Sequence, residues 1–279
     1  IIVKGVEKGI EKSSKIMMPT LFIIILILVV CSVTLPGAGA GIEFLLKPDF
    51  SKVDGNVFLS AMGQAFFSLS ITGSGMIVYG SYLNKKADIV GSSMRTALFD
   101  TVAALLSALA IMPAVFAFGI EPNAGPPLMF ITLPEIFRQM PMGRLFAVIF
   151  FLSVAFAGIT SLINMFEAVS ESWQNRFKLP RKAAVALCSG IALLVGIFLE
   201  SEPKVGSWMD FITIIVVPFG AVLGAVSIYY ILGYKEIREE LEEGRKKPLG
   251  EFFGPLARYV YVPLAVIVFI LGIVYGGIG

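Results

Sequence analysis

The sequence contains no histidine, and this absence excludes several kinds of chemistry at once. Histidine is the side chain that most often acts as an acid or base near neutral pH, and it is a frequent zinc ligand. Only two cysteines are present, Cys31 and Cys188, and each is isolated within an apolar run. We therefore interpret them as buried thiols rather than as a disulfide or a metal-binding pair.

Charged residues are also scarce, at 15% of the 279 residues, whereas a soluble domain usually carries about a quarter. Hydrophobic residues reach 57%, and the mean hydropathy is +0.86. The net charge of +2 is too small to indicate a nucleic-acid partner. This composition predicts an integral membrane protein.

The beginning of the chain shows no signal-peptide pattern, because a charged region, an apolar region and a cleavage site do not follow one another there. The first residue is isoleucine, and IIVKGVEKGIEKSSK reads as a basic amphipathic segment. We therefore expect the chain to be a fragment.

Apolar runs of about 20 residues are long enough to cross the hydrocarbon core of a bilayer as helices. Seven such runs predict seven spans of a multi-pass protein in the cell (plasma) membrane. With the N-terminus in the cytoplasm, 17 of the 22 Lys and Arg residues fall inside and 5 outside, which agrees with the positive-inside rule. The predicted spans are 17–36, 58–82, 92–118, 145–173, 183–199, 208–232 and 257–277.

The connection 119–144 lies outside in this topology and contains five prolines. Proline removes a backbone donor and fixes φ, so the sequence predicts an irregular extracellular loop with one short helix at LPEIFRQ. Long structured loops of this kind often serve as lids.

The second predicted span is interrupted by small and hydroxyl-bearing residues. Its middle places Gly73 and Gly75 around Ser74, and glycine lowers helix propensity by about 1 kcal/mol relative to alanine. One interpretation is a discontinuous helix whose half-helix ends face a buried ligand site. The other is a small-residue face that lets helices pack closely. These residues alone leave both interpretations open.

Other polar groups lie within the predicted spans. In AGITSLIN, the hydroxyls of Thr160 and Ser161 either line a site or bond to carbonyls of their own helix. Asp100 lies roughly 12 Å into the third span, where an ionisable residue favours an ion pathway over a helix-capping role near the cytoplasm. Burying the charge of Glu167 in the fourth span costs free energy, so we expect its carboxylate to be paired. A role in a proton or ion route is left open.

The order of these features resembles the neurotransmitter:sodium symporter family, particularly its bacterial amino-acid transporters of the leucine-transporter type. The resemblance covers nearly the whole chain, from that family's fifth span to its eleventh. It implies an all-α integral membrane protein with part of a leucine-transporter-type inverted-repeat fold. One helix of this fold is expected to be discontinuous near 66–82, and the chain is expected to lack the family's first four spans. The stretches that carry it are GIEKSSKIMMPTLF, TLPG, LKPDFSKV, GQAFFSLS, YGSYL, FITLPEIF, AGITS and WMDF.

The resemblance implies sodium-coupled symport of an amino acid, with Na⁺ as the transported ion and no organic cofactor. The expected partners are a small amino-acid substrate and the lipid bilayer, with no nucleic acid and with a homodimer left open. The implied gating residues are Ser81, Tyr82, Asp210, Gly9 and Pro19. The implied substrate-binding residues are Phe67, Ser68, Ser70, Gly73, Ser161 and Met165, and the implied sodium ligands are Ser68, Asp100, Ala157, Thr160 and Ser161.

Two positions depart from the family pattern. An aromatic residue usually closes over the substrate at the sixth-span break, but here Gly73 falls at that position, or Ser74 after a one-residue slip. The seventh-span sodium ligand is usually an asparagine. Counting forward from YGSYL gives Asp100, whereas counting back from Pro113 gives Phe99, and we favour Asp100.

Gln64 and Ser68 also match positions that line the chloride site of animal relatives. The carboxylate of Asp100 supplies a negative charge of its own, and this argues against bound chloride. The substrate itself cannot be transferred from the family to this chain, because the aromatic residue at the break is missing.

Two other functions compete with transport. A membrane-embedded serine protease built on Ser74 would need a base, but the chain has no histidine and no lysine in the middle of a span. We therefore predict that the chain is not an enzyme. The stronger alternative is a non-transporting, truncated or scaffold membrane protein whose polar clusters are only packing features.

Overall fold

We describe the fold from a computed structural model of the chain. It describes residues 1–71, 75–120, 128–140, 142–245 and 248–276. Every regular element within these ranges is a helix. Six helices are long and apolar enough to cross a membrane, and they are Val6–Val33, Ile89–Ala117, Gly143–Phe177, Arg181–Phe198, Lys204–Leu232 and Phe253–Tyr275.

We number the α-helices in chain order, and π-helical turns extend several of them. The first six are α1 Lys12–Val33, α2 Gly39–Leu46, α3 Gly55–Ser68, α4 Gly75–Ser81, α5 Ile89–Ala117 and α6 Leu133–Gln139. The others are α7 Gly143–Phe177, α8 Arg181–Phe198, α9 Glu202–Asp210, α10 Val217–Val226, α11 Tyr234–Glu243, α12 Phe253–Leu256 and α13 Val262–Tyr275. The π-helical turns are Val6–Glu11, Leu128–Thr132, Phe211–Val216, Ser227–Leu232 and Ala257–Tyr261.

The long spans are continuous helices because a bilayer core offers no water to pair with backbone groups. The predicted span 58–82 differs, since it is represented by α3 and α4, with 14 and 7 residues. Residues 72–74, which include the predicted substrate-binding Gly73, lie outside the described residues. The prediction of seven spans is not tested by these helix bounds.

The chain divides into two compact units, and the first comprises Ile1–Ser51 and Phe99–Met165. Its core joins α1, the end of α5, α6 and the beginning of α7 through apolar side chains. Helix α2 packs closely on α5, because a side chain at Gly41 would lie 2.6 Å from the Met112 carbonyl oxygen. The buried core residues are Ile24, Leu28, Ala114, Val115, Leu133, Ile136 and Phe150.

The second unit comprises Lys52–Leu98 and Phe166–Gly279. Helix α13 lies against both α10 and α3 in this unit. Aromatic pairs hold these helices together, since Phe66 stacks on Tyr261 at 5.8 Å and Phe219 meets Phe269 at 5.8 Å between ring centroids. The first half of the interrupted helix is therefore fixed against a continuous span.

In the same unit, the charged helix α11 is bonded to the segment that follows it. Glu242 accepts a hydrogen bond from the Leu249 backbone N–H at 2.7 Å and pairs with the Arg238 guanidinium at 2.9 Å. These donors hold the pKa of the Glu242 carboxyl below its ordinary value, the backbone N–H contributing most. Just beyond α11, Gly244 packs against the backbone of Ala87, so the segment after α4 is also anchored.

Candidate functional site

The interrupted helix begins with a side-chain cap and ends with a backbone cap. Asp54 accepts a hydrogen bond from the Val57 N–H at 3.0 Å and so starts α3. At the other end, the N–H of Ser70 donates to the Phe67 carbonyl and that of Ile71 to the Phe66 carbonyl, at 3.0 and 3.1 Å. This pair of bonds is the Schellman motif, which satisfies two of the backbone carbonyls at the end of the helix.

Ser70 adopts the left-handed conformation that this motif requires, with φ of 54°. Glycine normally occupies that position, and an L-residue there costs about 1 kcal/mol or more. Such strain is concentrated at ligand-binding sites in known proteins. The helix therefore stops at Ser68 through a strained turn, within the predicted discontinuity near 66–82.

A cavity of about 340 Å³ lies beside the end of α3, and we call it the Asp210 cavity. Phe67 and Gln64 of α3 line it together with Asp210 at the end of α9. Phe67 is 54% exposed, so its ring is not buried in the core and can contact a ligand. The remaining lining residues are Gly63, Phe66, Met209, Thr213, Ile214, Val217, Pro218, Val268, Gly272 and Gly276.

The structure thus brings together one predicted substrate-binding residue and one predicted gating residue, Phe67 and Asp210. The volume of the cavity lies in the range typical of small-molecule sites, about 300–1,000 Å³. In the described parts of the chain, no lysine or arginine forms an ion pair with Asp210. Its carboxylate is exposed and available to a cationic group.

A second polar group of the same unit surrounds the buried Glu167, and we call Tyr82, Glu167 and Arg181 the Glu167 cluster. Glu167 is 0% exposed. It accepts a hydrogen bond from the Tyr82 hydroxyl at 2.9 Å and one from the Arg181 guanidinium at 2.6 Å. Each carboxylate oxygen therefore has a donor, which a buried charge requires.

This cluster fixes Tyr82, the residue that follows α4, to α7 and to the beginning of α8. The predicted gating residue Tyr82 is held by Glu167, and Ser81 bonds back to the Val78 carbonyl at 2.7 Å. The sequence indicated that Glu167 needs a partner, but it did not identify Arg181. The signal was available, since Arg181 is the first residue of the next helix, directly after a proline.

In the first unit, the predicted sodium ligands of α7 lie on neighbouring turns. The Thr160 hydroxyl donates to the carbonyls of Phe156 and Ala157 at 3.0 and 2.9 Å. This is the local bonding that the sequence left open, and it keeps the lone pairs of the hydroxyl oxygen free to accept a cation. Ser161 and Met165 follow Ala157 at one-turn intervals and are exposed on one face.

Asp100 and Phe99, the two candidates for the seventh-span sodium ligand, occupy adjacent positions in α5. Phe99 is 60% exposed and meets the Phe22 ring edge-on at 6.4 Å. Asp100 is half-buried. A half-buried carboxylate in an apolar helix is the better cation ligand of the two, although the register stays a prediction.

The predicted gating pair in the first membrane helix lies on either side of its regular start. Gly9 belongs to the π-helical turn Val6–Glu11 and is buried, because the Ile1 carbonyl packs where a side chain would be. Pro19 lies inside α1 and leaves the carbonyl one turn earlier without its usual donor. Both features weaken the regular hydrogen-bond pattern at this end of the helix.

Comparison with known proteins places these observations in a family. The family model described as the sodium:neurotransmitter symporter family matches residues 1–276. A sodium-dependent transporter of Bacillus subtilis is 35% identical over 98% of this chain, and one of Haemophilus influenzae is 43% identical over 70%. The chain spans 64% and 43% of the length of these two relatives.

A solved structure matches the fold as well as the sequence. The crystal structure of MhsT in complex with L-phenylalanine superposes with a TM-score of 0.82 at 31% identity, over 98% of this chain and 64% of that one. The expected all-α membrane fold of the leucine-transporter type is therefore confirmed, and the relatives are transporters rather than enzymes. The chain belongs to the sodium:neurotransmitter symporter family.

Proposed function

We propose that the protein carries out sodium-coupled symport of an amino acid across the cell membrane, with the N-terminus of this chain on the cytoplasmic side. The observation that carries the proposal is the strained end of α3 at Ser70, three residues after Phe67, which lines the Asp210 cavity. Ser70 itself lines a second cavity of about 470 Å³, together with Ile71 and Tyr229. A helix that stops within a predicted span exposes backbone groups and hydroxyls where a polar ligand can bind.

The substrate class follows from the chemistry of this region and from the relatives. Phe67 offers an apolar surface and Ser68 and Ser70 offer hydroxyls, a mixture that suits an amino acid. MhsT was crystallised with L-phenylalanine, and matching animal proteins are named transporters of GABA, glycine and taurine. All of these compounds combine an amino group with an acidic group, and we extend that class to this protein.

Sodium would be bound by oxygen atoms of the residues that the resemblance implies. Ser68 offers a hydroxyl and Asp100 offers a carboxylate, each as an implied sodium ligand. Ala157, Thr160 and Ser161 offer a carbonyl and two hydroxyls for one ion. Hard cations prefer such oxygen ligands. The carboxylate would offset the positive charge of the ion within an apolar helix.

Coupling requires that each ligand favours the same conformation, because linkage between two ligands is reciprocal. We assign the two gates to the Asp210 cavity and the Glu167 cluster. Tyr82 is held by Glu167 in the present arrangement, whereas Asp210 is open to solvent. Release of the substrate on the Tyr82 side then requires Tyr82 to separate from Glu167.

The proposal is tested by uptake of labelled amino acids into proteoliposomes that contain the complete gene product. We expect saturable uptake with an inward sodium gradient and none when potassium replaces sodium. In the variant Thr160→Val, which keeps the side-chain shape, the sodium concentration for half-maximal uptake should rise roughly fivefold, because a ligand worth about 1 kcal/mol is lost.

Thr20→Val is the matched control. Thr20 also donates its hydroxyl to the carbonyl four residues earlier, at 2.8 Å, but lies in α1 and outside the proposed site. Equal effects of the two substitutions would show that Thr160 only bonds to its own helix. Absence of sodium-dependent uptake for every amino acid tested would favour the scaffold alternative.

A further inference from the structure

Three lysines at the beginning of the chain converge on one small cavity. Lys4, Lys8 and Lys12 line a space of about 280 Å³ together with Ile1, Gly9, Ser13 and Ile16. All three lysine side chains are exposed. None of the three makes an ion pair with a residue in the described ranges of the chain.

The local backbone builds this cluster. Gly5 has φ of 87°, which turns the short 3-10 helix Ile2–Lys4 back toward the helix that follows. Gly9 lets the turn pack closely, because a side chain there would collide with the Ile1 carbonyl. Lys4 is therefore brought onto the cavity that Lys8 and Lys12 reach from successive turns.

The arrangement is electrostatically unfavourable without an anion. Like charges one helical turn apart destabilise a helix by about 0.2–0.5 kcal/mol for each pair. The segment carries only two acids, and the carboxylate of Glu11 is already bound by Lys15 at 2.6 Å. Glu7 makes no ion pair among the described residues, which leaves three cationic groups around one space.

The position of the cluster indicates the source of the anion. The lysines lie in the first turns of the candidate membrane helix Val6–Val33, and the continuous apolar run begins at Ile16. This is the level at which phospholipid phosphates lie beside a spanning helix. Ile16 is 64% exposed and adds an apolar surface next to the cationic groups.

We propose that Lys4, Lys8 and Lys12 form a binding site for the phosphate headgroup of an anionic phospholipid. The three ammonium groups neutralise the headgroup, and the apolar surface from Ile16 onward receives the start of its acyl chain. The three lysines are not among the proposed substrate, sodium or gating residues, although the predicted gating residue Gly9 also lines the space.

The test measures lipid binding by the complete gene product in nanodiscs, by competition between phosphatidylglycerol and phosphatidylcholine. Each basic residue near an anionic surface contributes about 1 kcal/mol, so the triple variant Lys4→Gln, Lys8→Gln, Lys12→Gln should bind phosphatidylglycerol roughly a hundredfold more weakly. The triple Lys→Arg variant should retain binding, because the charges remain. The triple Lys→Gln variant should keep the melting temperature of the unsubstituted protein, which would show that its loss of binding does not come from misfolding.

The matched control removes three exposed lysines from the same predicted side, namely Lys86, Lys178 and Lys235. An equal loss of phosphatidylglycerol in this control would overturn the site, since it would show only a general surface attraction. Inorganic phosphate and glycerophosphoglycerol are added as competitors, to distinguish a small soluble anion from a phospholipid as the ligand. If either competes as well as the lipid does, the site binds small anions and the lipid assignment is wrong.

Discussion

The second unit holds two carboxylates in opposite circumstances, Glu167 and Asp210. Glu167 is fully buried and bonded to Tyr82 and Arg181, whereas Asp210 is exposed at the edge of a cavity and has no ion-pair partner in the described residues. Burial of a charge costs several kcal/mol unless its partners are well placed. The Glu167 cluster is therefore a closed contact, while the Asp210 cavity is prepared to receive a ligand.

This difference predicts how substitutions divide between stability and transport. Residues of the Glu167 cluster should change both, because their bonds already exist in the structure. The exposed residues of the Asp210 cavity, Asp210 and Phe67, should change transport with little effect on stability, because their partners arrive with the substrate or during gating. The following predictions run from the largest expected effect on stability to the smallest.

The largest effect is expected for Glu167→Gln, which keeps the shape but removes the charge. It leaves the Arg181 guanidinium without its carboxylate, so we expect a loss of about 3 kcal/mol in the free energy of unfolding. The fall in the apparent melting temperature of the detergent-solubilised protein measures this. Glu43→Gln is the matched control, because the Glu43–Lys47 pair has the same 2.6 Å separation but is exposed.

The control should lower the free energy of unfolding by no more than about 1 kcal/mol, as exposed ion pairs contribute little. Equal losses for Glu43→Gln and Glu167→Gln would show that burial does not strengthen the Glu167 cluster. A rise in melting temperature for Glu167→Gln would show that the charge is not needed at all.

An intermediate effect is expected for Tyr82→Phe, which removes only the hydroxyl that donates to Glu167. A hydrogen bond to a charged group contributes about 1.5–3 kcal/mol, and the edge-on contact with Tyr79 at 6.1 Å is retained. The double variant with Glu167→Gln should lose less than the sum of the two single losses, since both act on one bond. Additive losses would contradict the hydrogen bond between Tyr82 and Glu167. Tyr259→Phe is the neutral control, because the Tyr259 ring is exposed.

A smaller effect, of opposite sign, is expected for Ser70→Gly. The end of α5 uses the same motif as the end of α3, with Gly119 at φ of 65° in the position of Ser70. Ser70→Gly should raise the free energy of unfolding by about 0.5 kcal/mol, whereas Gly119→Ala should lower it by about 1 kcal/mol. We expect weaker substrate binding in Ser70→Gly despite its greater stability, because a hydroxyl of the proposed site is lost.

If Ser70→Gly lowers the melting temperature, the strain at this turn is not real. If it stabilises the protein without any change in substrate affinity, Ser70 closes the helix but does not contact the substrate. The two measurements together therefore separate the structural role of Ser70 from its proposed role in binding.

The smallest effect on stability is expected for Asp210→Asn. An exposed carboxylate without an ion-pair partner should change the free energy of unfolding by less than about 0.5 kcal/mol. Uptake should nevertheless fall, because a gate that relies on its charge would no longer close. A large drop in melting temperature with unchanged uptake would reverse the comparison between the two carboxylates.

Several of these features could be predicted from the sequence alone. Apolar runs of helical length predicted a membrane protein built of helices, and six helices in the described residues are long and apolar enough to cross a membrane. The stretch SLSITGSG indicated an interruption, since small and hydroxyl-bearing residues are poor helix formers in that number. The acid at position 167 indicated a buried partner, because an unpaired charge in an apolar helix is too costly.

Other features depended on contacts that no local pattern reveals. The sequence predicted a discontinuity near 66–82, but it did not predict that α3 ends at Ser68 with Ser70 in a left-handed conformation that serine rarely adopts. The partner of Glu167 proved to be Arg181, which lies in a different helix. Similarly, the turn that brings Lys4 close to Lys8 depends on the positive φ of Gly5.

The measurement that tests the central claim most directly is equilibrium binding of labelled amino acids to the purified complete gene product, in sodium and in potassium. We predict that at least one amino acid binds only in sodium. We also predict reciprocity: saturating amino acid should raise the affinity for sodium by the same factor by which saturating sodium raises the affinity for the amino acid. Equal binding in sodium and potassium would contradict sodium coupling. Binding of no amino acid under either condition would contradict the proposed substrate class and favour the scaffold alternative.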